Sequence, residues 1–319
     1  MKEINYLEII KKSWKITWKN KYLWWFGLFL ALNGGISFNF PGNNEWSKKM
    51  AENEGQLINF ISSHWQLFAA AIALAAFLGL VFFILSLISK AGLIKTLDKI
   101  EKNLTGNFKE GFKDGKKYFW KILAIGLILG FFIFALLVVL SSPVIFLFSF
   151  RALFLGILSA FLAVAIFIPL IVLTCFIGKY SIFYIVLSDL GIKASIENGY
   201  QVFKKNILAS VIMALFFIPI NISLFILVIS AFLAIGLIFL LVGSIFHFLL
   251  AKMGIIIAIA LGSFVFFVFL ILANSIFQVF CQTIWFLFFK EIAGVKTEEE
   301  IGENVVEIVQ KNIPTPEEI

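Results

Sequence analysis

Ile122-Leu-Ala-Ile-Gly-Leu-Ile-Leu-Gly-Phe-Phe-Ile-Phe-Ala-Leu-Leu-Val-Val-Leu140 contains no polar side chain, and its apolar residues follow one another without alternation. About 20 apolar residues in a helix cross a hydrocarbon layer of ~30 Å. Inside lipid the backbone must satisfy its own hydrogen bonds, which leaves helices or closed barrels. A barrel strand alternates apolar and polar residues over ~10 positions; this stretch does not, so it reads as a membrane-spanning helix. It belongs to one of six stretches free of Asp, Glu, Lys and Arg: 22–44, 65–89, 122–150, 152–178, 206–251 and 253–289. The composition agrees, with 61% hydrophobic and 14% charged residues, against about 45–50% and about 25% in a soluble domain. The expected fold class is all-α: a polytopic transmembrane helical bundle over 1–292, with six spans as three hairpins. An acidic cytoplasmic tail, 293–319, is expected to follow.

The net charge of +7 does not point to nucleic acid, because the lysines flank the apolar runs instead of forming one patch. Of 26 Lys and Arg, 22 fall in residues 1–21, 90–121, 179–205 and 290–319; only Lys48, Lys49, Arg151 and Lys252 lie elsewhere. Under the positive-inside rule the lysine-rich segments face the cytoplasm. The expected localisation is the cell (inner) membrane, multi-pass, with both termini inside. Met1–Lys21 is too charged and tryptophan-rich for a cleavable signal, and no small-residue cleavage site follows the first apolar run.

Three of the inner segments resemble one another. They are Ile10-Lys-Lys-Ser-Trp-Lys-Ile-Thr-Trp-Lys-Asn20, Phe112-Lys-Asp-Gly-Lys-Lys-Tyr-Phe-Trp-Lys-Ile-Leu123 and Ile196-Glu-Asn-Gly-Tyr-Gln-Val-Phe-Lys-Lys-Asn-Ile-Leu208. Each has an apolar residue, two polar ones, a small residue (Ser13, Gly115, Gly199), then aromatics mixed with lysine before a hydrophobic run. A threefold repeat is a cue to architecture, and it predicts three hairpins, each introduced by an amphipathic helix at the inner surface. The spacing of Leu7, Ile10, Trp14 and Trp18, of Leu93, Leu97, Ile100 and Leu104, and of Ile192, Ile196, Tyr200 and Phe203 is helical. Aromatic rings and snorkelling lysines suit the headgroup zone. Trp14, Lys15, Trp18, Lys19, Phe119, Trp120, Tyr200 and Phe203 are the candidate inner-interface residues.

Two runs exceed one crossing. Residues 206–251 contain Pro219, Asn221 and Ser223, which predict a kink or break, and the polar punctuation around Gly243–Gly254 allows a re-entrant portion near 236–250. The outer loop 39–63 is polar, with a turn signal at Pro41-Gly-Asn-Asn44. In the tail, Thr297-Glu-Glu-Glu300 matches a capping box, and Ile301, Val305, Ile308 and Val309 predict a short amphipathic helix. Gly126-Leu-Ile-Leu-Gly130 is a GxxxG of the kind that permits close helix approach.

Chemistry is sparse. The histidines are His64 and His247, with no cysteine or paired carboxylate beside either, so zinc-ligand spacing and a nucleophile–base pair are both missing. Gly34-Gly35 lacks the helix start and lysine of a phosphate-binding loop. Cys175 and Cys281 read as small apolar residues. No cofactor and no metal are expected. The mid-depth polar residues are Asn221, Asn274, Gln278 and Gln282, of which the last three share one helix face. That face reads either as a polar lining or as interhelical hydrogen bonding.

Tyr184-Ile-Val-Leu-Ser-Asp-Leu-Gly-Ile-Lys-Ala-Ser-Ile-Glu-Asn-Gly-Tyr-Gln-Val-Phe-Lys-Lys-Asn206, with Ser13-Trp14 and Trp24-Trp25-Phe26-Gly27, resembles a group of bacterial six-helix membrane proteins. The group includes the membrane domain attached to some glycerophosphodiester phosphodiesterases, and its uncharacterised stand-alone relatives. The resemblance implies the six-helix layout over about residues 1–292. It implies no reaction, because the phosphodiesterase catalytic domain has no counterpart here. The expected function is non-enzymatic, the inner-surface helices contacting membrane lipid, a protein partner or a second copy. The alternative is a transporter or permease for a neutral or lipophilic solute. Single cysteines at Asn43, Thr105 and Glu317 are expected to label from outside, inside and inside respectively; outside labelling at Thr105 would overturn the orientation.

Overall fold

The computed structural model describes residues 4–33, 62–250 and 252–294. Among them stand the helices α1 (Tyr6–Lys19), α2 (Trp24–Asn33), α3 (Trp65–Glu101), α4 (Phe108–Ser149), α5 (Leu153–Ser188), α6 (Ile192–Lys205), α7 (Ile207–Leu250) and α8 (Lys252–Ala293). Five of these, α3, α4, α5, α7 and α8, are long and apolar enough to cross a membrane. By that length and composition the chain is a multi-pass membrane protein. The expected first span, 22–44, is described only as far as Asn33, as the short apolar helix α2. Most of the expected outer loop 39–63 and the expected tail helix lie outside the described residues.

The long helices contain 36 to 44 residues, about 54–66 Å at 1.5 Å per residue. They exceed the ~30 Å of a hydrocarbon core because inner-surface segments run into them unbroken. Leu93, Leu97 and Ile100 are the last turns of α3, and Phe112–Leu123 belongs to the first turns of α4. Among the described residues α1 and α6 are the separate surface helices of the repeats, which corrects the expectation of three. The reason lies in one repeated position. Seven residues after the small residue, the first and third repeats carry Asn20 and Asn206. Asn20 turns its side-chain Nδ2 onto the carbonyl of Ile16, and Asn206 turns its own onto that of Val202, and each ends its helix. The second repeat carries Ile122 there, and α4 continues.

Of the kink or break expected at Pro219, the break does not occur: α7 is continuous from Ile207 to Leu250, and the chain does not turn back within 236–250. Proline is tolerated in membrane helices, and a ring at 219 leaves only the Leu215 carbonyl without its usual helical donor. Asn221 donates to the Phe217 carbonyl and Ser223 to that of Pro219.

Buried side chains gather at the lysine-rich end of the molecule, its base, in the adjoining turns of α3, α4, α5 and α8 together with α1, α2 and α6. Phe183 stacks on Phe289 at 4.9 Å, Phe176 on Phe203 at 5.1 Å and Trp285 on Phe217 at 5.1 Å. Each such pair adds about 0.5–1.5 kcal/mol beyond its burial. The outer turns are different. In the most apolar stretch of α7 no residue is buried, and in those of α3 and α4 only 11% are. A helix with that surface has hydrocarbon as its solvent.

The small residues of the repeats are where this inner base is knitted together. A Cβ on Gly115 would fall inside the van der Waals radius of the Ile88 carbonyl oxygen on α3, and one on Gly199 would lie 3.1 Å from the Ile177 carbonyl of α5. Ser13 is fully buried on α1, which packs against α8. Each has a small or hydroxyl neighbour four residues away and also buried: Thr17, Gly111 and Ser195. This is the small-xxx-small rule for close helix approach. The GxxxG at Gly126 and Gly130 has no such role, since nothing lies within 4 Å of a Cβ at either. Gly115→Ala should therefore cost about 1–3 kcal/mol of stability by overpacking, read as a lower thermal midpoint in detergent. Gly126→Ala should leave the midpoint unchanged or raise it; equal losses would refute this contact.

Candidate functional site

The amphipathic helices α1 and α6 pack small and apolar residues on the core and leave several aromatic rings exposed among their lysines. On α1 the buried residues are Ser13 and Thr17, whereas Trp14 is 53% exposed and Leu7 and Trp18 are exposed too. Tyr6, Ile9, Ile10 and Ile16 pack half-buried against the core beside them, so the exposed large side chains of α1 are Leu7, Trp14 and Trp18. Thr17 donates to the Ser13 carbonyl of its own helix at 2.8 Å, so its hydroxyl needs no partner across the contact. Asn5 starts α1 by accepting from the Glu8 amide, a side-chain N-cap.

The candidate interface residues divide accordingly. Trp14 and Trp18 lie with ring centroids 5.5 Å apart, and Trp14 also sets its edge against Phe280 at 5.5 Å. Lys15 and Lys19 are exposed beside them, with no carboxylate partner among the described residues. Trp120 is 73% exposed and packs on half-buried Phe119 at 5.1 Å. Tyr200 is exposed on α6. Phe203 is the exception: it is buried against Phe176 and belongs to the core, not to the interface. Its register places it four residues beyond Gly199, on the packed side of the helix.

Asn274, Gln278 and Gln282 are half-buried on one side of α8, whereas Asn221 is exposed on α7 and does not join them. Asn274 donates to the Leu270 carbonyl of its own helix at 3.0 Å, so neither it nor Asn221 bonds to another helix. The interhelical hydrogen bonds come from residues the sequence did not single out. Tyr180 and Ser210 share one at 2.7 Å, joining α5 to α7, and Ser275 donates to the Trp24 carbonyl, joining α8 to α2.

Charge in the base is arranged in two groups. Lys290, 6% exposed, lies 2.8 Å from Glu101 and 3.7 Å from Asp98, while Lys12 reaches Glu101 at 3.3 Å. That group pins α1 and α8 to the end of α3. At the corner after α5, Asp189 has the left-handed φ of 50° and meets Lys121 at 2.8 Å and Lys117 at 3.2 Å. Lys121 first, then Lys117, hold its carboxyl below the ordinary aspartate range. Sequence reading missed both groups, because each joins residues from separate segments.

Between the outer halves of α7 and α8 lies an apolar cleft of about 700 Å³, lined in part by Phe232, Phe239, Phe266, Ser244, Ser263 and His247. Among the described residues no three His, Cys, Asp or Glu converge on a metal site. Residues 22–293 match the model of DUF7544, a family of unknown function. No curated protein and no solved structure matches the chain, so the likeness to phosphodiesterase membrane domains gains no named relative.

Proposed function

The chain belongs to the family of unknown function DUF7544, and we propose that it is a non-enzymatic integral membrane protein whose inner-surface layer engages membrane lipid. The observation that carries this reading is the exposed pair Trp14 and Trp18 on α1, with Lys15 and Lys19 beside them and without a carboxylate partner among the described residues. An indole ring at headgroup depth keeps its apolar body in acyl chains and its N–H near water. Lysines beside it add attraction to anionic lipid, about 1 kcal/mol each near the surface. Trp120 and Tyr200 repeat the pattern on α4 and α6. The lysine distribution supports an inner-leaflet location with both termini in the cytoplasm.

The transporter reading has less support. It rested on the Asn274–Gln278–Gln282 face, and Asn274 is bonded into its own helix, as is Asn221 away from that face. No nucleophile, base and electrophile converge among the described residues, which favours a non-catalytic role.

Spin labels at Lys15, Trp120 and Tyr200 in proteoliposomes should all report headgroup depth. They should be accessible to lipid-soluble oxygen and only partly to a water-soluble nickel chelate. Full nickel accessibility with no oxygen contact at the three sites would remove this reading.

A further inference from the structure

The two close crossings of the inner base define equivalent positions. Gly115 approaches the carbonyl of Ile88 and the backbone nitrogen of Gly92 on α3; Gly199 approaches the carbonyl of Ile177 and the backbone nitrogen of Ser181 on α5. Setting Ile88 on Ile177 and Gly92 on Ser181 places Lys90 on Lys179. Each lysine is the first charge after an apolar run, 65–89 and 152–178 respectively. Both therefore stand at the inner edge of the hydrocarbon layer, and both are half-buried.

Neither has a carboxylate partner among the described residues. Asp98 and Glu101, the next acids along α3, are occupied by Lys290 and Lys12, and Asp189 by Lys117 and Lys121. Lys179 lies with Nζ 3.7 Å from the centroid of the Trp285 ring. It is close enough to Lys90 for the two charges to repel, and it also lies near Cys281. Two like charges in a medium of low dielectric are costly, and ionisable groups at membrane depth mark functional sites.

The amide face of α8 is at the same level. Gln282 is adjacent to Cys281, one turn before Phe286, and Gln278 is seven residues before Trp285. Phe286 packs on Phe183, and Trp285 on Phe176, both of α5. Helical register thus turns Gln278 and Gln282 toward α5, and neither makes a hydrogen bond within the protein among the described residues. Two ammonium groups and two amide side chains thus share one level of the base with no acid partner among the described residues, beneath helix turns whose apolar faces are uncovered.

We propose that Lys90 and Lys179, assisted by Gln278 and Gln282, bind a phosphate or carboxylate group at inner-leaflet depth. The head of an anionic amphiphile suits the place, its chain lying along the apolar outer turns. This site is separate from the outward-facing Trp14–Lys19 surface, so either assignment stands without the other.

The test uses the full-length protein in mild detergent and reads the thermal midpoint during titration with phosphatidylglycerol, with phosphatidylcholine, and with inorganic phosphate in water. Phosphatidylglycerol is expected to raise the midpoint saturably and phosphatidylcholine to leave it unchanged. Saturation by inorganic phosphate at comparable concentration would assign the site to a free anion; weak competition by phosphate would assign it to a lipid head. Lys90→Met and Lys179→Met should each weaken the response about tenfold, and Lys90→Arg with Lys179→Arg should retain it. Lys109→Gln, an exposed lysine of α4 that belongs to neither surface, should leave it intact, and Lys15→Gln with Lys19→Gln tests the outward surface separately. No midpoint shift of the wild-type protein with either anion would overturn the proposal without any variant having to fold. So would a shift that survives both Met substitutions, and so would one lost only with Lys15 and Lys19.

Discussion

The backbone of α4 at Gly115 and that of α3 at Ile88 come together with no room for a side chain between them, and α6 meets α5 closely, though less tightly, at Gly199. Much else in the inner base follows from these approaches. A helix held that close to its neighbour buries its small face and must direct its bulky residues elsewhere. That is why Trp120 and Tyr200 point outward while Tyr118 and Phe203 point in. The close crossings also bring Lys90 and Lys179 to matching depths and leave the aromatic core of Phe183, Phe286 and Phe289 enclosed between α5 and α8. In a membrane, van der Waals fit of this kind has to carry much of helix association, because lipid chains are as apolar as the core itself.

Much of the architecture was legible in the sequence for a physical reason. Charge-free runs of spanning length have few uses other than crossing lipid, and the repeated small residue followed by aromatics and lysine marks the inner helices. The runs beginning at 65, 122, 152, 206 and 253 each lie in a long helix, and the small residues Ser13, Gly115 and Gly199 are all buried at helix contacts. The count of six is not matched by the five long helices described. The expectation of three separate surface helices failed at one residue, Ile122, where the other repeats have a helix-ending asparagine. The helix does not break at Pro219, because the ring removes a single donor from a ladder whose other backbone groups remain paired.

The candidate site was legible only in part. Trp14, Trp18, Trp120 and Tyr200 could be placed from periodicity because amphipathic spacing reports which residues share a face. Periodicity does not say which face is buried, and Phe203 was assigned to the wrong one. The ion group of Lys12, Asp98, Glu101 and Lys290 brings together segments at the two ends and the middle of the chain, which no local pattern records. Likewise the interhelical hydrogen bonds use Ser210 and Ser275, whose small hydroxyls look unremarkable beside the amides of Asn274 and Gln278.

These relations give the inner base an approximate threefold logic: α4 rests on α3, α6 on α5, and α1 on α8, the first surface helix closing onto the last long one. That closure is the central claim, because it makes the three repeats one layer. A short bifunctional thiol reagent applied to Trp14→Cys with Phe280→Cys, in a chain lacking Cys175 and Cys281, measures it directly. The rings lie 5.5 Å apart, so an intramolecular cross-link should form in membranes at high yield. Failure to cross-link in folded, membrane-inserted protein would mean that α1 does not close onto α8.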